Sequence, residues 1–272
     1  MVWAADQAAK VTKHEDPNYV KHGGYLFEPE YYGNFVLNTY RIVSSPFRWN
    51  AEHWATAGLI VAGIGVMMFL DEPVRDFRQE DVRSDTTDDI ADYGDMVGGF
   101  YNLLPAAGIG FVAGAALGDQ KAQAASLESI QELAITAGFA KALNYGTGRH
   151  RPNGSPDNAF EFDGPGTGGD NKSFVSGHAA YSFSVASVIA SNYDDNVYVS
   201  GLAYGLAGLS AWSRVNDDKH WLSDVVVGAA IGIITGKLVH HTSPFRPGAT
   251  QRVSFRPYHN SSESGVQLSL IF

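Results

Sequence analysis

The stretch SRVNDDKHWLSDVVVGAAIGIITG spans residues 213–236 and joins a charged segment directly to an apolar, glycine-rich one. The apolar part has the composition of a buried helix, and the charged part carries Arg214, His220 and Asp224. Since His220 and Asp224 are four residues apart, they share one face of a helix that begins near residue 219. The stretch therefore predicts reactive side chains at the start of a buried helix.

Six segments with apolar residues at helical spacing follow one another along the chain. They predict an all-α fold, a helical bundle of about six core helices at about 52–70, 97–118, 125–147, 177–192, 196–213 and 219–240. Pro105 is expected to kink or divide the second helix. The charged run between the first two helices, residues 71–95, matches no calcium-loop spacing, and we expect it to be a solvated face or connector.

The two ends of the chain differ in composition from the helical part. Residues 1–50 are polar and aromatic and predict an irregular N-terminal arm with short helices. The runs VSFRPY and VQLSLIF flank NSSESG and predict a short C-terminal β-hairpin. The expected organisation is an arm at 1–50, a helical domain at 51–245 and a hairpin tail at 246–272.

The overall composition excludes several classes of protein. A net charge of −10 argues against a nucleic-acid partner, and the absence of cysteine excludes disulfides and thiolate metal sites. Six membrane spans need about 120 apolar residues, at roughly 20 each. The apolar 44% of 272 residues barely reaches that number, and many of these residues lie outside the six segments. This inventory favours a soluble helical domain, with peripheral membrane contact left open.

The first residues bear on localisation. MVWAAD resembles the small-residue end of a signal-peptide cleavage site. We therefore expect an exported protein, located in the bacterial periplasm and either soluble or membrane-associated.

Three short motifs stand at predicted helix ends. GRHRP (148–152) closes the third helix, SFVSGHA (173–179) opens the fourth, and the segment from Ser213 to Asp224 joins the fifth to the sixth. Because neighbouring antiparallel helices alternate in direction, all three motifs are expected at one end of the bundle. They predict a site that is assembled from distant segments.

The residues of these motifs suit an anion. Ser176 is a good N-cap, and the N–H groups of Gly177 and of the following histidine at a helix start attract phosphate. Arg151 and Arg214 each offer a planar fork to phosphate oxygens. A histidine paired with a carboxylate, such as His220 with Asp224, is a candidate nucleophile. His178 is suited to protonate a leaving oxygen.

The pattern resembles the type-2 phosphatidic acid phosphatase family, whose superfamily includes vanadium haloperoxidases and bacterial acid phosphatases. Its three parts are Lys-x6-Arg-Pro, Pro-Ser-Gly-His and Ser-Arg-x5-His-x3-Asp. The third part matches in full, from Ser213 to Asp224. In the second part Val175 replaces proline, and in the first Asn144 stands where the family has lysine. The resemblance covers about residues 100–240.

The resemblance implies a metal-independent phosphatase without a cofactor, acting on a phosphorylated lipid or a small phosphoester. By analogy, His220 attacks phosphorus and forms a phosphohistidine, Asp224 orients His220, and His178 protonates the leaving alcohol. The resemblance further implies that four other motif residues hold the phosphoryl oxygens: Arg151, Ser176, Gly177 and Arg214.

Asn144 leaves one phosphate contact in doubt, because an amide carries no charge. Lys141, one turn earlier on the same helix face, is a candidate replacement, with a solvent-facing lysine as the alternative. Two other functions stay open at this point. The pocket of a vanadate-dependent haloperoxidase would use the same residues, and a non-catalytic phosphate-binding module would retain them without turnover.

Overall fold

The computed structural model describes residues 29–166, 172–243, 253–259 and 264–270. Within these ranges the chain forms nine α-helices and two strands. The helices are α1 Pro29–Ser44, α2 Ala51–Met68, α3 Asp71–Asp76, α4 Asp85–Gly98, α5 Phe100–Leu117, α6 Gln120–Thr147, α7 Gly177–Asn192, α8 Val197–Asn216 and α9 Leu222–Thr242. A 3₁₀ turn covers Ser45–Arg48, and a π-helical turn covers Phe77–Val82.

Two compact units are distinguished by their internal packing. One comprises residues 37–241 and contains every candidate site residue; the other comprises residues 1–36 and 242–272. In the second unit, β1 Val253–His259 pairs antiparallel with β2 Ser264–Leu270, with Val253 opposite Leu270. The residues between these strands lie outside the described part, so the hairpin stays a prediction.

The six predicted core helices correspond to α2 and α5–α9, and capping side chains determine several of their starts. Asp119 accepts a hydrogen bond from the N–H of Ala122, which starts α6 earlier than the predicted residue 125. Pro105 lies inside α5 without dividing it. Within the predicted arm, residues 29–44 form α1, with Pro29 at the first helical position, and this helix is longer than the short helices expected there. The rest of the arm, residues 1–28, lies outside the described part.

Close packing of α7 and α9 determines the geometry of the site end. Gly228, Gly232 and Gly236 form a stripe on α9, and a Cβ at any of them would collide with the backbone of α7. The two helix backbones therefore approach closely over more than two turns. Helix α6 packs against both α5 and α7, and α8 packs against α7 and α4.

The charged segment 71–95 has the solvated face predicted from its composition, but its other side packs against the bundle. Asp71 and Arg78 are buried, and α4 packs closely along α8. Side chains from this segment bond to the chain on either side of the site residues: Glu72 to the N–H of Ala159, Arg75 to Asp218, Arg78 to Asn216, and Gln79 to the carbonyls of Val215 and Asn216. The segment therefore supports the site.

In the part of the chain that the structure describes, three helices are long and apolar enough to cross a membrane: α2, α5 and α9. Only 6% of α2 and 6% of α5 are buried, compared with 44% of α9. The exposed faces of the first two carry large apolar side chains, among them Leu59, Ile60, Val61, Val66, Tyr101, Ile109, Val112 and Leu117. Apolar faces of this size mark contact with a membrane or with another protein.

Candidate active site

Backbone hydrogen bonds bring the three sequence motifs together at one end of the bundle. The N–H of Ser173 donates to the carbonyl of Arg149 (2.9 Å), which joins the end of α6 to the loop before α7. The N–H of Ser176 donates to the carbonyl of Asp224 (3.0 Å), which joins the start of α7 to the start of α9. The segments are therefore assembled as the helix directions predict.

His220 lies in the turn between α8 and α9. Its N–H donates to the carbonyl of Arg214 (3.2 Å), which extends the C-terminal turn of α8, and α9 begins only at Leu222. The prediction that His220 and Asp224 share a helix face is therefore wrong. The helix begins late because Asp224 accepts a hydrogen bond from the N–H of Trp221 (3.0 Å), in the manner of a capping residue.

The ring of His220 is buried and oriented by the backbone. Its Nδ1 lies 2.7 Å from the carbonyl oxygen of Ser173. Because a carbonyl can only accept, Nδ1 carries the proton and Nε2 keeps its lone pair. The nearest oxygen of Asp224 is 3.8 Å from Nδ1 and instead accepts from the hydroxyl of Ser173. The carboxylate therefore acts on the ring at close range and through Ser173, without a direct hydrogen bond.

Arg149 holds Asp224 in place, and the sequence analysis missed it. This arginine is fully buried, and its guanidinium bonds to Asp224 (2.6 Å) and to Asp71 (2.7 Å). Its remaining donors reach the hydroxyl of Ser223 and the carbonyl of Ala159. Burial raises the pKa of Asp71, and the hydrogen bonds from Ser223 and Arg149 act against that rise. The sequence signal for Arg149 was its place as the first arginine of the motif GRHRP.

Arg214 and Arg151 supply positive charge beside the two histidines of the site, His178 and His220. Burial, followed by the charge of Arg214, lowers the pKa of His178 from its ordinary value of 6.5 to about 4, and the charges of His220 and Arg151 act in the same direction. The Nε of Arg151 is buried and has no hydrogen-bond partner in the described part of the chain. These four residues are close enough to act on one bound anion.

Asp95, the second residue that the sequence analysis missed, reaches this group from α4. One carboxylate oxygen, Oδ1, lies 2.9 Å from Nε2 of His178 and 2.8 Å from Nη2 of Arg214. The same arginine nitrogen lies 2.8 Å from Asp217. Asp95 lies in the acidic segment 71–95, which was predicted from its composition to be solvated, so it was not recognised as a site residue.

The start of α7 supplies backbone donors. The Oγ of Ser176 accepts from the N–H of Ala179 (3.4 Å), as expected of an N-cap. The N–H groups of Gly177 and His178 precede the first intrahelical hydrogen bond and stay available to a ligand. A helix start of this kind favours negative charge.

Asn144 and Lys141, the two candidates for the position of the family lysine, have different surroundings. Asn144 donates to the carbonyls of Ala140 (2.8 Å) and Val175 (3.1 Å), so its amide hydrogens are engaged in holding the loop before Ser176. Lys141 is exposed, and the contacts of the described residues include none that links its side chain to the site. Among the described residues, no group of three or more His, Asp or Glu side chains is arranged to hold a metal ion.

Comparisons with known proteins agree with this geometry. The family model of the PAP2 superfamily matches residues 130–247. A lipid A 1-phosphatase of Porphyromonas gingivalis is 33% identical over 107 residues, which cover 39% of this chain and 21% of that protein. The chain thus spans about a fifth of the length of this relative.

Among solved structures, the crystal structure of Aquifex aeolicus LpxE resembles the chain with a TM-score of 0.47 and 20% identity, over 62% of this chain and 94% of the other. The family match over residues 130–247 includes every motif of the site from Asn144 to Asp224. Over these residues the chain is similar to the PAP2 superfamily.

Proposed function

We propose that this protein is a phosphoric-ester hydrolase that removes a phosphate group from a lipid. The observation that carries the proposal is the orientation of His220. Its Nδ1 is engaged by the carbonyl of Ser173, so the unprotonated Nε2 is available beside Arg214 and the start of α7. This arrangement supports a nucleophile at His220 beside groups that are suited to bind an anion.

The proposed reaction has two steps. Nε2 of His220 bonds to phosphorus while the ester P–O bond breaks, and the leaving alkoxide takes a proton from His178. Water then gives a proton to His178 and bonds to phosphorus while the P–N bond breaks, which releases inorganic phosphate and restores both histidines. His178 is neutral in the free protein at pH 7, because its pKa is about 4. The charge of a bound phosphoryl group would favour its protonated form.

A lipid substrate is supported by two observations. A relative over part of this chain is named a lipid A 1-phosphatase. Helices α2 and α5 expose apolar faces that suit acyl chains. Contact between these apolar side chains and water is unfavourable. These faces favour insertion of α2 and α5 in a membrane over the peripheral contact considered from composition. Export to a periplasm remains part of the proposal.

The test is phosphate release by the purified full chain in detergent, with EDTA present and with lipid phosphates and soluble esters as separate substrates. We expect release from at least one lipid phosphate and background release by His220→Ala. His53→Ala, on the exposed face of α2, is the matched histidine control and should retain activity. Activity that disappears in EDTA and returns with a divalent cation would contradict the metal-independent mechanism. Binding of phosphate without any turnover would favour a binding module.

A further inference from the structure

Asp95 places a negative charge where the proposed function requires a phosphoryl oxygen. Its Oδ1 contacts Nε2 of His178 and Nη2 of Arg214 at 2.9 and 2.8 Å, which are hydrogen-bond distances. These two groups come from α7 and α8, and under the proposed function Arg214 contacts the phosphoryl group and His178 contacts the oxygen that leaves it. A single oxygen that bridges them has the geometry of a bound anion.

The backbone of α4 holds Asp95 in this position. Gly94 and Gly98, on the buried side of α4, face α8, where a Cβ at residue 94 would meet the carbonyl of Leu209 and a Cβ at residue 98 would collide with Ser210. This close approach leaves room for no larger side chain. Asp95 lies between the two glycines. The close packing of α4 on α8 therefore brings its short side chain within reach of Arg214.

The carboxylate is nevertheless able to leave. The side chain of Asp95 is 50% exposed, whereas that of Arg214 is 7% exposed. Water can therefore solvate Asp95 if its side chain rotates outward, while Arg214 stays in place. Arg214 also keeps its contact with Asp217, so it is not left without a partner during the exchange.

We propose that Asp95 is a further residue of the phosphoryl-binding site: its carboxylate occupies the position of one phosphoryl oxygen in the free protein, and it sets the affinity of the site for phosphate. A phosphoryl group and the carboxylate cannot both contact the same face of Arg214. Each binding event therefore displaces Asp95, and each release of phosphate allows it to return. The residue weakens the binding of inorganic phosphate and favours release of the product.

The inference rests on the proposed function for its substrate, but anion binding can be measured without turnover. The experiment determines the affinity of the full chain in detergent for inorganic phosphate and for vanadate by calorimetry. Asp95→Asn removes the charge and keeps the shape of the side chain. We expect it to bind both anions about tenfold more tightly, since one repulsive charge within hydrogen-bond distance of the ligand position is removed.

Asp92→Asn is the matched control, because Asp92 is exposed on the same helix and its removal changes the net charge equally. Its affinity for phosphate should change less than twofold. Equal affinities of the two variants, or weaker binding by Asp95→Asn, would overturn the inference and identify Asp95 as a support for His178. Asp95→Ser, checked by circular dichroism, replaces the asparagine variant if that variant does not fold.

The same measurements separate this inference from the proposed function. If Asp95→Asn tightens phosphate binding but no substrate is turned over, the inference stands and the catalytic proposal fails. If lipid phosphate is hydrolysed but Asp95→Asn and Asp92→Asn bind phosphate alike, only the inference fails.

Discussion

Replacing Asp71 by asparagine should destabilise the fold far more than its position outside the family motifs suggests. Asp71 is 1% exposed and lies 2.7 Å from Arg149, which is itself fully buried. It also accepts hydrogen bonds from the N–H and the hydroxyl of Ser223. Breaking a buried ion pair from one side typically costs about 3–5 kcal/mol, because the other charge is left without compensation. Arg149 keeps Asp224, so we expect a loss near the lower end, about 3 kcal/mol.

The assay is chemical unfolding of the full chain in detergent micelles, followed by the helical circular dichroism signal. Lys121 and Asp195 supply the control, since their pair has a distance of 3.2 Å and side chains that are 48% and 71% exposed. Asp195→Asn should cost at most about 1 kcal/mol, as expected of an exposed pair. If Asp71→Asn and Asp195→Asn differ by less than 1 kcal/mol, the buried network does not hold the site as argued.

Three further predictions follow from individual contacts. Since the native pKa of His178 is about 4 and its ordinary value is 6.5, the unfolded chain binds more protons between these values. Stability should therefore fall as pH decreases from 6.5 towards 4, and His178→Asn should reduce this fall in unfolding experiments at both pH values. Lys141→Ala should keep vanadate affinity within about twofold of the wild type, because Lys141 is exposed; a tenfold loss would assign it the role of the missing lysine. The protein should stay in membranes washed with carbonate and be extracted by detergent, because α2 and α5 are almost unburied; release by carbonate would restore the prediction of a peripheral protein.

The helices and the motif residues could be predicted because their signals are local. Apolar spacing gave α7 its observed limits, 177–192, and the alternation of helix directions placed GRHRP, SFVSGHA and the 213–224 segment at one end. Helix ends were less predictable. The last helix was predicted to start near residue 219. The N–H of His220 instead donates to a carbonyl of α8, so residue 220 belongs to the turn between the two helices.

The supporting residues could not be predicted, because their roles depend on distant partners. Asp71 and Arg149 are 78 positions apart in sequence, and nothing near either residue indicates that both are buried. Asp95 lies in an acidic run whose composition is typical of a solvated surface, and only the packing of α4 on α8 brings it to Arg214. The apolar fraction of the whole chain includes many polar segments outside α2 and α5. It therefore did not indicate that these two helices are apolar enough to enter a membrane.

The most direct test of the central claim is the isolation of a phosphorylated protein intermediate. The full chain is mixed with a ³²P-labelled lipid phosphate in EDTA, quenched within the first turnover, and the protein-bound label is tested for its stability in acid and base. We predict a label on the wild-type protein that is stable in base and labile in acid, as expected of a phosphohistidine, and no label on His220→Ala. A label that survives in His220→Ala, or turnover by that variant at the wild-type rate, would contradict the assignment of His220 as the nucleophile.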